Sequence, residues 1–359
     1  MIEVLLRSWR VRITTYLLLV TICLLAISCR EMGSVPTEYP TPEPAPWSTP
    51  LPKIELKPDA ELELQIAKIA EEAKGKVGVA ALLLETGDAA MLNGDQHFLM
   101  QSVYKLPIAM AVMEQIKRGE LDLDEKIGVT KEDMVRQGQR SPLRDANPNG
   151  GEFTIRELIR LSLVESDGTA SDVLMRIAGG ANEIQSYLGL IGIQDIKVIN
   201  TEKEIGRDWQ TQYENWAMPL ASVELLSWLE QTAAELGPLE PAPKLPPGAI
   251  CNCPGPMELH FNHNDLRLIV GLMKDSFPGA KRLKGLLPAN TAVAHKTGTG
   301  GTQNGITGAT NDIGIITMPN GKHIAIAVFV SDSPADEKTR EAVIAKIAKA
   351  CWDRWVKAT

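Results

Sequence analysis

Ser102, Val103, Tyr104 and Lys105 set a hydroxyl and an amine three residues apart. If a helix begins there the two share a face, and Lys105 can reach the Ser102 oxygen. A serine alcohol is a poor nucleophile until a base takes its proton, and a lysine desolvated beside another cation gives up its own proton more readily. A helix N-terminus adds free amide donors where an oxyanion would form. The same spacing also suits a plain helix cap with a solvated lysine, and a chain of this length contains about one such pair by chance.

Two further tripeptide and tetrapeptide runs carry compatible chemistry. Ser166, Asp167 and Gly168 fall in a short turn between two capped helical patterns, where side chains project from a rigid support. Ser166 could relay a proton there, although Asp and Gly are also ordinary turn residues. Lys296, Thr297, Gly298 and Thr299 follow a strand pattern. Thr297 and Thr299 then point to one face, and Gly298 lets a ligand approach the backbone closely. The Thr299 amide would be a second oxyanion donor beside that of Ser102. Lys296 would offer positive charge to a substrate carboxylate and to Ser166.

These residues need a scaffold that brings distant segments together. Residues 59 to 74 carry Leu62, Leu64, Ile66, Ile69 and Ala70 at helical spacing, with Gly75 as a stop. Val77 to Leu84 and Ala90 to Leu92 read as a hairpin leading to a helix that begins near Ser102. Thr154 with Glu157 makes a capping box, and a second helix runs from Thr169 to Ala178 before Gly179 and Gly180. Ala292 to Thr299, Asp312 to Thr317 and His323 to Val330 have strand composition, and an amphipathic helix spans about Ala335 to Val356. The expected fold is a two-lobed α/β (α+β) unit: an antiparallel sheet of about five strands, built from both chain ends and flanked by helices, with an inserted all-helical lobe. Such a layout leaves a cleft between sheet and lobe.

Together and in this order, the three motifs resemble those of the class A β-lactamases and their penicillin-binding relatives. The likeness runs from about residue 58 to 357 and includes NDIGIITMPNGKHIAIAVFV from Asn311 to Val330, which is similar to the family's closing sheet. MQSVYKLPIAMAV around Ser102 and NTEKEIGRDWQTQYENWAMP from Asn200 to Pro219 resemble the PER/VEB-type branch. The resemblance implies a serine β-lactamase that confers β-lactam resistance, with the lactam as its small-molecule substrate and no metal or organic cofactor. It makes Ser102 the nucleophile, Lys105 or Glu202 the first base, and Ser166 the donor to the departing nitrogen. Thr297, Gly298 and Thr299 would line the substrate strand.

The segment from Ile199 to Pro219 lacks periodicity, and loops that long are usually functional or disordered. The resemblance implies an Ω-loop, with Glu202 as the base that activates water for deacylation and Glu204 as the rival carboxylate. Without it both read as solvated loop charges. Arg282, fourteen residues before Lys296, matches a position from which some class A members send an arginine to the substrate carboxylate; a solvated charge beside Lys281 and Lys284 is the alternative. Gly168 stands where the family usually has Asn, whose lost substrate contact would cost about 1 kcal/mol. Gly206 stands where most members have Asn and the PER/VEB-type branch has His, so the resemblance leaves the speed of deacylation open. A D-alanyl-D-alanine peptidase or transpeptidase, and a non-hydrolytic β-lactam-binding envelope protein, are the rival readings.

Composition bounds the rest. The 359 residues are 44% apolar and 23% charged, an ordinary globular balance, and the net charge of −8 argues against a nucleic-acid surface. Arg7, Arg10 and Arg12 precede an apolar run from Ile13 to Ile27 that is too short for a spanning helix, so residues 1 to 28 read as an export signal. LLAISC, ending at Cys29, resembles a bacterial lipobox, which would make the protein a lipid-anchored lipoprotein of the periplasm or cell envelope; an uncleaved anchor or a conventional cleavage site are the alternatives. Residues 29 to 57 then form a tether, with seven prolines between 34 and 53. The catalytic domain spans 58 to 359, with a Pro-rich insertion at 237 to 262. Cys251, Cys253 and His260 in that insertion, with His263 just after it, do not match the usual zinc spacing. No feature calls for a partner chain, and a monomer is expected.

Overall fold

Alternation along the strands explains the layering. In one strand, Lys76–Leu83, Val77, Val79, Ala81 and Leu83 join one apolar cluster, while Ala80 and Leu82 join another. In His323–Ser333, Ile324, Ile326, Val328 and Val330 join the first cluster, and Ala325, Ala327 and Phe329 the second. Strands apolar on both sides must be covered on both sides. Among the described residues, helices from the two chain ends cover one face and the inserted helical lobe covers the other. The computed structural model describes residues 55–235 and 266–357. The signal segment, most of the tether, the 237–262 insertion and its Cys and His residues lie outside them. No described helix is long and apolar enough to cross a membrane.

The strands in chain order are β1 (Lys57–Pro58), β2 (Lys76–Leu83), β3 (Asp88–Leu92), β4 (Phe98–Leu99), β5 (Lys126–Val129), β6 (Gly151–Thr154), β7 (Ile196–Lys197), β8 (Trp216–Ala217), β9 (Val293–Thr299), β10 (Thr302–Gln303), β11 (Ile306–Thr317) and β12 (His323–Ser333). The main sheet runs β1-β3-β2-β12-β11-β10, with β9 paired to β11. Its five long strands, β2, β3, β9, β11 and β12, pair antiparallel as expected. The departure is at the edge, where β1 pairs parallel with β3. Pro58 has no N–H to offer a ladder and so suits only an edge strand. There, Lys57 and Asp59 on either side donate to Gly87 and Ala89.

The described helices are α1 (Ala60–Ala70), α2 (Lys105–Lys117), α3 (Pro142–Ala146), α4 (Ile155–Val164), α5 (Gly168–Ile177), α6 (Ala181–Leu190), α7 (Glu202–Ile205), α8 (Pro219–Glu235), α9 (Arg267–Lys274) and α10 (Glu337–Val356). Side-chain caps fix their starts: Asp59 for α1, the Thr154–Glu157 box for α4, Asp167 for α5 and Asp336 for α10. The helix expected over 59 to 74 ends sooner, at Ala70, and a single 3₁₀ turn carries it to Ala73. Ser102 also departs from expectation. It sits in a 3₁₀ turn, Gln101–Tyr104, ahead of α2. Pro107 explains this, because it has no N–H for the Val103 carbonyl and the regular ladder can begin only after it.

The turn bearing Ser102 is pinned to the sheet. The buried Asn311 on β11 donates through Nδ2 to the carbonyls of Leu99, at 2.8 Å, and Met100, at 3.1 Å, and its Oδ1 accepts from the Val330 amide. On β9, a Cβ at Gly298 would stand 2.2 Å from the Met100 carbonyl oxygen. The close approach expected at Gly298 is therefore made by the protein's own backbone, and the residue does not line the cleft. Asn311→Ala strips partners from two buried carbonyls and should cost about 2–4 kcal/mol. Guanidinium unfolding checks this through a lower midpoint at unchanged slope, and a loss below about 0.5 kcal/mol would remove Asn311 as the pin.

Candidate active site

The motif residues meet in one cleft of about 690 Å³ lined by Ser102, Lys105, Ser166, Glu202, Thr297 and Thr299. Ser166 is its hinge. Its φ of 57° lies in the left-handed region, uncommon for a residue other than glycine and costing on the order of 1 kcal/mol. That conformation is held by two buried lysines. Lys105 Nζ donates to the Ser166 carbonyl at 2.9 Å, and Lys296 Nζ donates to Ser166 Oγ at 2.9 Å. Because Ser166 Oγ accepts from Lys296, its own proton is available to the cleft. Burial pushes the Lys296 ammonium well below the usual lysine range, and the nearby charge of Lys105 adds to the effect.

Lys105 also meets a carboxylate. Its Nζ lies 3.2 Å from Glu202 Oε2. The Tyr104 hydroxyl donates to the same oxygen at 2.8 Å. Among the described residues the Ser102 hydroxyl forms no hydrogen bond. Lys105 is turned instead toward Ser166 and Glu202.

The segment from Asn200 to Pro219 is an ordered loop whose neck is closed by amides. Asn215 Oδ1 accepts from the N–H groups of Ile199 and Asn200, each at 2.8 Å, and its Nδ2 donates to the Asn200 carbonyl at 2.7 Å. This is the Ω-loop geometry. Inside it the two rival carboxylates separate. Glu204 closes a capping box with Thr201, accepting from its N–H and hydroxyl, each at 3.0 Å. Glu202 is left to enter the cleft.

Other supports carry no motif. Asp172 accepts from the amides of Glu202, at 2.6 Å, and Lys203, at 3.0 Å, and so fixes the start of α7. The Gln139 side chain donates to the Glu202 carbonyl and fills the space beside Gly206, where a Cβ would stand 2.6 Å from its amide nitrogen. Gln101, with φ of 48°, ties the nucleophile turn to the loop through Gln212 at 2.8 Å. Asp167 faces away from the cleft, accepting from Leu143, Ala170 and Ser141, and burial raises its carboxyl above the usual range.

Arg282 is neither a solvated charge nor a cleft-lining group. It is 3% exposed beneath β9, where Nη1 donates to the carbonyls of Asn311 and Gly298, Nη2 donates to Thr299 Oγ1 at 2.8 Å, and Nε pairs with Glu341. Gly168 is buried at the start of α5, its amide donating to the Arg140 carbonyl.

Comparison with known proteins agrees with this arrangement. The model of the β-lactamase enzyme family matches residues 61–235 and 262–355. The chain belongs to that family. β-Lactamase VEB-1 of Pseudomonas aeruginosa is 35% identical over 301 residues, 82% of this chain and 90% of that protein. The extended-spectrum β-lactamase PER-1 of the same organism is 34% identical over 293 residues, covering 81% of this chain and 86% of its own length. The crystal structure of TLA-3 extended-spectrum β-lactamase superposes with a TM-score of 0.72 at 38% identity, over 82% of this chain and 98% of that one. This β-lactamase family member is thus of class A, with the PER/VEB-type branch among its relatives.

Asp172 makes the loop's anchorage sensitive to pH. Burial raises its carboxyl from 3.8 to about 7, with the Glu202 charge adding and the two amide hydrogen bonds opposing. The folded protein then holds the extra proton between those values. The stability Asp172 contributes is complete below about pH 4 and is lost as the pH rises through about 7. Asp172→Asn removes the titration. The melting temperature of the variant relative to the parent should therefore rise between about pH 4 and pH 8. A difference that stays flat across that range would show that Asp172 does not titrate there.

Proposed function

We propose that this class A enzyme hydrolyses the β-lactam amide through an acyl-enzyme on Ser102, and so confers β-lactam resistance. The observation that carries the reading is the contact of Lys105 with Glu202 in the cleft that Ser102 lines. In acylation, the Ser102 proton passes to Lys105, or to Glu202 through water, and the Ser102 oxygen bonds to the lactam carbonyl carbon. The amides of Ser102 and Thr299 take the oxyanion. The C–N bond then breaks as Ser166 gives its proton to the departing nitrogen and takes one back from Lys296, the proton released by Ser102 restoring the balance.

In deacylation, Glu202 takes a proton from water and the new hydroxide oxygen bonds to the acyl carbon. The ester bond to Ser102 breaks, and its oxygen recovers the proton that Glu202 took, which returns Glu202 to its carboxylate form. Thr297 and Thr299 receive the substrate carboxylate, with Lys296 buried behind them as the nearby positive charge and Arg282 orienting the Thr299 hydroxyl from below. The base in contact with Lys105 favours this over the peptidase reading, which lacks a carboxylate placed for rapid deacylation. We propose in addition that residues 1 to 28 export the chain to the periplasm or cell envelope, that Cys29 carries a lipid anchor, and that the enzyme acts as a monomer. Labelling with radioactive palmitate, retained in the parent and lost in Cys29→Ala, checks the anchor.

A chromogenic cephalosporin in excess tests the chemistry. Continuous turnover is expected, whereas one equivalent of colour followed by a halt would favour the non-hydrolytic binder. Ser102→Ala should abolish colour release. Glu202→Gln should still release about one equivalent and then stall, its deacylation falling by roughly 10²–10⁴-fold and a stable covalent adduct appearing by mass spectrometry.

A further inference from the structure

Two features around Glu202 are unexplained by its contact with Lys105. The first is Tyr104, inside the Ser102–Lys105 motif. It is fully buried, and its hydroxyl donates to Glu202 Oε2 at 2.8 Å. Burial and the Glu202 charge push the phenol well above its usual range, so it remains a donor throughout the working pH range. Lys105 and Tyr104 both fall on Oε2. Neither contact falls on Oε1.

The second is Gly168. It is the first residue of α5 and is not among the residues of left-handed backbone, so its conformation does not require glycine. Space does. A Cβ there would stand 2.7 Å from Glu202 Cγ and 3.4 Å from Glu202 Cβ. The Glu202 side chain therefore occupies the volume that any larger residue at 168 would fill.

We propose that Tyr104 and Gly168 together form a seat for Glu202, the first by a hydrogen bond and the second by the missing Cβ, and that this seat sets the deacylation rate. The proposal rests on Glu202 being the deacylating base. Neither residue touches the substrate carbonyl in this scheme; both are positioning residues. Gly168 then does more than omit a substrate contact. It is matched to the placement of the base, and a side chain there displaces Glu202 from Tyr104.

Stopped-flow measurement with a chromogenic cephalosporin, combined with quenched-reaction mass spectrometry, separates acylation from deacylation in Tyr104→Phe, Gly168→Ala and Glu202→Gln. In both positioning variants the deacylation constant should fall about tenfold relative to the acylation constant, with acyl-enzyme accumulating. A role confined to packing would lower the melting temperature and leave that ratio alone. If the ratio stays within about twofold of the parent or rises in either variant, while Glu202→Gln stalls as an acyl-enzyme, the seat is overturned and the function stands. If Glu202→Gln turns over like the parent, the reading of Glu202 as base fails first. Should Gly168→Ala not fold, the ratio in Tyr104→Phe decides alone.

Discussion

A buried relay of charge holds this cleft together: Glu202 on the loop, Lys105 on α2, the backbone and hydroxyl of Ser166 in the helical lobe, and Lys296 on the sheet. Each member comes from a different segment of the chain. Two lysines in one buried place are unfavourable unless each finds acceptors, and here the acceptors are a carboxylate, the two oxygens of one serine and the Thr297 carbonyl. The left-handed backbone of Ser166 follows from that demand, since it turns both oxygens toward ammonium groups. The relay thus ties fold and chemistry to the same contacts.

The lobes are shaped to deliver these groups. Capped helix starts place Ser166 and Gly168 at the junction of α4 and α5, and the Asn311 pin keeps the Ser102 turn against the sheet while Gly298 gives way to the Met100 carbonyl. The loop is held at its neck by Asn215, at its base by Asp172 and along its flank by Gln101 and Gln139. These anchors are short polar contacts between segments distant in sequence, and such contacts specify geometry more than they stabilise.

What the sequence made legible was whatever is local. The capping box at Thr154, the alternating strands and the three motifs are each fixed by residues within a turn or a strand. The Thr201–Glu204 box was also written there and would have separated the two carboxylates at once, because a glutamate satisfying a helix start is unavailable as a base. Asp172, Gln139 and Tyr104 were not legible. An aspartate in the middle of a helix, a glutamine in a loop and a tyrosine among apolar neighbours carry no periodic or spacing signal, and their roles exist only once segments tens of residues apart meet. The burial of Arg282 was not legible either: its neighbours Lys281 and Lys284 left a solvated charge as one of its two readings, but a planar guanidinium can be buried when carbonyls surround it.

The pairing of β2 with β12 has a consequence for how the molecule comes into being. β2 waits for a partner about 250 positions later, Val77 meeting Val330. While the ribosome is still at work, that edge has nothing to bond with and the apolar side chains on it stay uncovered. That edge of the sheet is therefore completed only once the C-terminal strands are present.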